Sequence, residues 1–483
     1  MCQTCLEVST EAGVVHACHC GSPTTFAAMR RIEADISRRQ MLGGMSAVVG
    51  MFAGFGLAPR ELQAQTPGQP LLLTNLRYFD GNSMKMHEGI DILIEGQHIS
   101  ALIPTGQGPA DAVRIDCGGR SVIPGLIDSH WHATLASISQ LAAMTQEIGY
   151  LHLVAGREAG ATVQRGFTTV RDVGGPAFGL QAAIDRGVVE GPRIFPAGAM
   201  ISQTSGHGDF RFPNSLPSMP VDPAYYAMRE GVASIADGVP AVLQRVREQL
   251  MKGASQIKIT AGGGVASSND PLDSLQFTFD EMKAAVDAAT DWQTYVCAHV
   301  YTPAGIQRCI KAGVRSIEHG QLADEDTVRM MADHGTWWSL QPFLADEDAN
   351  QYADPAARAA QQTVAQGTVR CFEWADKHKV NWSFGTDILF STNGDSQARQ
   401  LVKLTRFMSP LEALHRATGA AGQLLAMSGP RAPYKGKLGV IEVGALADLL
   451  VVEGAPERTL DWLADSSNLR MIIKGGRQFK NTL

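Results

Sequence analysis

The 483-residue sequence predicts an α/β protein, a (β/α)8 barrel of the TIM type with a small β-sandwich built from its N- and C-terminal segments. Two observations carry this. Through the middle of the chain, short apolar runs alternate with amphipathic helical stretches, the pattern of a parallel sheet wrapped in helices. At either end, strand-like segments bracket that region. The 50 glycines supply many tight turns between elements, and 45% hydrophobic residues are enough for a large core.

Residues 1–64 read as a leader. "SRRQMLGGMSAVVGMFAGFGLAPRELQAQ" sets Arg38 and Arg39 before a weakly hydrophobic, Gly-rich stretch from Met41 to Ala58, and then the small residue Ala64. This resembles a twin-arginine export signal, implying a periplasmic or secreted protein with no stable membrane anchor. An ordinary N-terminal helix is the alternative. Cys2, Cys5, Cys18 and Cys20, with His16 and His19, lie upstream of the arginines, as a small metal cluster or, preferably, as part of an extended leader or of a misassigned start. Cys117, Cys297, Cys309 and Cys371 are too sparse to read as a disulfide framework.

Residues 65–123 hold "LLLTNLRYFDG" and "DILIEGQHISAL", short strands of the first part of the sandwich. The barrel then spans 124–429. Its strands are "PGLIDSH", "TTVRDVG", "RIFPAG", "QIKITAGG", "YVCAHVY", "RSIEHG", "WWSLQP" and "NWSFGTD", with helical stretches such as "FTFDEMKAAVDAAT" and "DTVRMMADHG" between them. Residues 430–483 return to strands in "GKLGVIEVGALADLLVVEG" and "NLRMIIKGGRQFKN". In such a barrel the active site lies at the C-terminal strand ends.

The net charge of -7 is mild, and no block of Lys and Arg offers a surface to nucleic acid or membrane, so the expected partner is a small molecule. The unusual side chains sit at strand ends. In "PGLIDSHWH", side chains alternate along the strand, so His130 and His132 share one face while Trp131 takes the other. Two imidazoles on one rigid strand suit a metal ion. Taken alone, however, an H-x-H more often marks two partly exposed histidines in a loop. Lys258 interrupts an otherwise apolar strand, where an unpaired ammonium is costly to bury, so it needs a partner or a modification. His299, His319 and Asp387 end three further strands. Singly, each histidine is explained by a bond to a backbone carbonyl, and the aspartate by helix capping.

Their joint order, H-x-H, Lys, His, His, Asp on successive strands, is similar to the amidohydrolase superfamily in its two-metal form. "PGLIDSHWH" resembles its opening strand, and "GKLGVIEVGALADLLVV" its C-terminal sandwich return. The resemblance runs from about Leu71 to the end. "GFTTVRDVGG" and "SGHGD" further resemble the branch holding prolidase-like and Xaa-Arg dipeptidases, ochratoxinase-like amidases and imidazolonepropionase relatives. The resemblance implies two divalent metal ions, zinc being the default among zinc, manganese, cobalt and iron. His130, His132 and Asp387 would bind the first ion, His299 and His319 the second. Lys258 would bridge both as a carbamate. A metal-bridging hydroxide would attack the amide carbonyl, with Asp387 moving the proton to the departing nitrogen. Relatives of this type often self-associate, so a homo-oligomer is expected.

Two more residues are candidates for the substrate. His207 in "TSGHGD" is placed on a loop to bond a substrate carbonyl or carboxylate, or is a turn histidine. Tyr301 would bind a carboxylate or stabilise an oxyanion, or packs at the rim. Arg171 and Asp172 read as a structural ion pair. The expected activity is hydrolysis of an amide or peptide bond in a small N-acyl amino acid or dipeptide. A cyclic amide hydrolase of the imidazolonepropionase kind or a lactone hydrolase is the alternative, against which Lys258 argues. From another class, an inactive metal- or ligand-binding protein would have no need of Asp387.

Overall fold

The computed structural model describes residues 7–10, 13–16, 69–216, 225–267, 269–349, 352, 354–391 and 394–483. The chain divides into two compact units, Met1–Gln65 and Thr66–Leu483. The described part of the first is an antiparallel hairpin of β1 (Glu7–Thr10) and β2 (Gly13–His16). The twin-arginine segment and the four leader cysteines lie outside the described residues.

The second unit begins with β3 (Leu71–Phe79), β4 (Met86–His87), β5 (Ile90–Glu95), β6 (His98–Pro104) and β7 (Val113–Pro124), and ends with the corresponding return strands. These are the C-terminal strands β18 (Leu449–Val452), β19 (Leu469–Lys474) and β20 (Arg477–Asn481). Together they make one eight-stranded sheet in the order β20-β19-β18-β7-β3-β5-β6, with β4 beside β3. The N- and C-terminal segments thus share one mixed sheet, and its β6 end returns to the stretch before β18, where the Ile99 amide donates to the Ala445 carbonyl and the Ala447 amide to the Gln97 carbonyl. Its C-terminal strands extend the N-terminal ones edge to edge through β7, where Leu449 faces Pro124 and Val452 faces Ser121. Every second residue feeds one apolar cluster, among them Leu71, Leu73, Leu449, Val451, Met471 and Ile473, as the two-residue period of a strand requires.

Between these segments run all eight strands expected from the sequence. They are β8 (Leu126–Trp131), β9 (Phe167–Asp172), β10 (Arg193–Pro196), β13 (Ile257–Thr260), β14 (Val296–Val300), β15 (Ser316–His319), β16 (Trp337–Leu340) and β17 (Trp382–Phe384). Two further short strands, β11 (Met200–Ser202) and β12 (Ala233–Ile235), fall between the third and fourth. Pairing is parallel throughout, in two arcs: β10-β9-β8, and β12-β11-β13-β14-β15-β16-β17. Side chains take over at the gaps between arcs. At one, the buried Gln256 carboxamide donates to the carbonyls of Asp172 and Phe195. At the other, Ser129 Oγ meets Ser383 Oγ at 2.8 Å and the Phe384 carbonyl at 2.6 Å, while the Asp387 amide donates to the His130 carbonyl.

Helices cover the outside of the arcs. Phe279–Asp291 starts at a capping box in which the Thr278 hydroxyl accepts the Glu281 amide and the Glu281 carboxylate reaches back. Ile257, Ile259, Ala298 and Ile317 pack outward into one core with Val246, Met282 and Ile306 from these helices. Alternation then turns Lys258 and Thr260 to the opposite face, where both line a pocket.

Candidate active site

All eight residues singled out in the sequence line that one pocket: His130, His132, His207, Lys258, His299, Tyr301, His319 and Asp387. Within it, ligand atoms of His130, His319 and Asp387 lie within 4.8 Å of one another. His130 Nε2 and His132 Nε2 approach Asp387 Oδ1 at 3.2 and 3.3 Å. The His299 ring stands 4.5 Å from that of His319.

Each imidazole has one nitrogen tied to a neighbouring acceptor. His130 Nδ1 is 2.7 Å from Glu318 Oε2, and His132 Nδ1 is 2.8 Å from the Gly174 carbonyl. His299 Nε2 meets the Gly263 carbonyl at 3.1 Å, and His319 Nδ1 meets Gln341 Oε1 at 2.9 Å. Such outer partners fix ring orientation and leave the second nitrogen of each ring for another ligand. Burial holds the imidazoles of His299 and His319 well below the usual histidine range, in the neutral form that coordinates a metal.

The carboxylate is set apart by its backbone. His319 and Asp387 both occupy the left-handed region, with φ of 74° and 55°. Neither is glycine, so each placement costs on the order of 1–3 kcal/mol, which the surrounding structure must offset. Close approach of β8 depends on Gly385, where a Cβ would meet His130 Cβ at 2.5 Å. Burial would raise the Asp387 carboxyl, yet the imidazoles of His130, His319 and His132 hold it well below the usual carboxylate range.

Two observations fit a cation here. His130 Nε2 is buried with no hydrogen-bond partner, its contact to Asp387 lacking hydrogen-bond geometry. Lys258 is 2% exposed, and burial lowers its ammonium. It stands in the pocket without a hydrogen-bond or ion-pair partner among the described residues, so its amine is available for modification.

Sequence reasoning missed the groups beneath this floor. Glu318, directly before His319, is fully buried and accepts both from His130 and, through both oxygens at 2.7 Å, from Arg171 Nη2. Despite burial, Arg171 and His130 keep Glu318 ionised. The Arg171–Asp172 pair is thereby corrected: neighbours on a strand point to opposite faces, and Asp172 instead accepts the Ala133 amide at 2.7 Å. Burial pushes Asp172 up to about 6. Asp128 takes the amides of His130 and Thr386 on one oxygen and Thr386 Oγ1 and Gln397 Nε2 on the other. The available signal was the same as for Lys258, a charged residue inside an apolar run.

On the wall, the His207 ring stacks on His299 at 3.8 Å and its Nδ1 faces Ser267 Oγ and the buried Asp270. Gly264 makes room for it, since a Cβ there would lie 2.0 Å from His207 Cε1. Tyr301 stacks on His319 at 5.1 Å, and burial raises its hydroxyl well above the ordinary range.

The profile of the Amidohydrolase family matches residues 121–479. Ochratoxinase from Aspergillus niger is 33% identical over 330 residues, which cover 66% of this chain and 66% of that protein. The chain thus spans just under two thirds of that relative's length. The crystal structure of an amidohydrolase has a TM-score of 0.79 and that of a prolidase complexed with N-methylphosphonate-L-proline 0.78. Each is 34% identical and covers 86% of this chain and 100% of its own. The shared architecture is α/β and TIM-barrel-like.

Proposed function

The chain belongs to the amidohydrolase family, and from that premise we propose that it is a metal-dependent hydrolase cleaving the amide or peptide C–N bond of a small N-acyl amino acid or dipeptide. The observation that carries the reading is the group of buried His130 and His319 with the partly buried Asp387, their ligand atoms within 4.8 Å of one another, beside the buried Lys258. The family generally uses a metal centre. Here His130, His132 and Asp387 would hold one divalent ion, His299 and His319 a second, and Lys258, as a carbamate, would serve both. Zinc is the default identity. Ions in such a site lower the pKa of water and polarise a carbonyl.

The chain's own groups supply the rest. The Asp387 carboxylate takes the proton of the attacking water and delivers it to the departing nitrogen, which an amide needs because its amine leaves poorly unprotonated. His207 and Tyr301 bind the substrate carbonyl or carboxylate. Met200, Val265, Ala266, Phe343, Leu344 and Leu389 line the remainder and suit an apolar side chain or acyl group. On its twin-arginine-type segment we read the protein as exported, and on its kinship as self-associating.

The test is amine release from a panel of dipeptides and N-acyl amino acids. Cleavage of a subset carrying apolar groups is expected. A metal-loaded protein that cleaves none of them would count against amide hydrolysis.

A further inference from the structure

Away from the histidines, one pocket wall is an irregular segment that follows β16. Residues 341–349 form no helix or strand, yet Phe343, Leu344, Asp346, Asp348 and Ala349 all line the pocket. Its start is held. Phe343 stacks on His319 with ring centroids 5.9 Å apart, and its carbonyl accepts from Thr368 Oγ1 at 2.8 Å. Beyond that point the wall is fastened by charge. Lys403, with a side chain only 7% exposed, places Nζ 2.6 Å from Asp346 Oδ1 and 2.9 Å from Asp348 Oδ2. Arg399 reaches Asp348 at 2.8 Å and Arg406 reaches Asp346 at 3.4 Å, but both arginines are about half exposed, at 43% and 52%. Solvent weakens those two pairs, leaving Lys403 as the buried link between two carboxylates that would otherwise repel.

The helix carrying Lys403 also reaches the floor. Helix Gln397–Lys403 begins with Gln397, whose Nε2 donates to Asp128, the carboxylate that accepts the amides of His130 and Thr386. Its opposite end is Lys403. Over those seven residues the axis advances roughly 9 Å, so one rigid element joins the metal-ligand floor to the substrate wall.

We propose that Lys403 is a positioning residue for substrate binding: it clasps Asp346 and Asp348, and so holds the 342–349 wall at a fixed distance from the reacting centre. Lys403 lines the pocket itself, but its ion pairs are made with Asp346 and Asp348 and with none of the candidate metal ligands. Its removal therefore acts on substrate capture rather than on the chemical step. This inference rests on the pocket being the active site.

The experiment compares the full-length wild type with Lys403→Met, Lys403→Arg and Asp346→Asn on the best amide found in the panel, alongside chymotrypsin cleavage after Phe343 and Leu344. Lys403→Met is expected to raise KM at least about ten-fold with kcat within about three-fold, and to speed cleavage at those two sites. Lys403→Arg restores most of both, and Asp346→Asn shifts both in the same direction by less, which preserves the test should the methionine variant not fold. Cleavage needs no substrate, so it stands even if no panel amide is hydrolysed. Unchanged KM and unchanged cleavage in Lys403→Met, or a loss confined to kcat, would overturn the proposal while leaving amide hydrolysis by the wild type intact.

Discussion

The floor of the pocket and its wall are held in different ways. On the floor, four imidazoles each hand one nitrogen to an acceptor on a strand or within three residues of a strand's end, and the Arg171–Glu318–His130 chain is buried throughout. Along the wall, side chains hang from irregular segments. Their partners, such as Arg399 and Arg406, are partly exposed. A reaction whose geometry tolerates little error is placed where packing and hydrogen bonds over-determine each atom, whereas recognition is left to segments that change length and composition at low cost.

Four substitutions test this division. Asp387→Ala removes the proton carrier and should lower kcat by about 10³-fold, measured on the best panel amide; a fall below about ten-fold would move the proton transfer to another group. Glu318→Gln should leave Arg171 buried without its charge partner and cost roughly 3 kcal/mol, read from denaturant unfolding. A value near zero would mean that the floor is not held by that buried pair. On the wall, His207→Ala should raise KM by about ten-fold or more, the loss of one hydrogen bond to a charged group, with thermal stability close to wild type. If kcat alone fell, His207 would belong with the floor. Arg399→Ala, which breaks a half-exposed pair, should change KM by no more than about two-fold; a larger effect would show that the wall depends on its rim charges as much as on Lys403.

The two regions also differ in how far the sequence disclosed them. Period-two alternation marked His130 and His132 as sharing one face, whereas Lys258, His299, His319 and Asp387 were legible as polar residues in or just after apolar strands whose joint order resembles the amidohydrolase pattern. The eight inner strands were legible as short apolar runs alternating with amphipathic helical stretches. Glu318 was visible as an anomaly but its partner was not, because the Arg171 contact spans 147 positions of sequence. Local pattern pointed instead to the adjacent Asp172. The left-handed backbone at His319 and Asp387 left no trace, since neither residue is the glycine that usually marks it. The strands β11 and β12, three residues each, were too short to show a period. For the terminal strands, strand character was legible, but the β7–β18 ladder that joins them lies between segments more than 300 positions apart. Nothing local marks Lys403 and its two aspartates; only the fold brings them together at the pocket.

Metal removal asks whether the histidine and carboxylate cluster works through bound ions. The full chain is assayed for amide release before and after treatment with a chelator, then again after adding back zinc, with metal content measured at each stage. Metal dependence requires that hydrolysis disappears as metal is lost and returns as two ions per chain are regained. Full hydrolysis by a protein shown to be metal-free would contradict it.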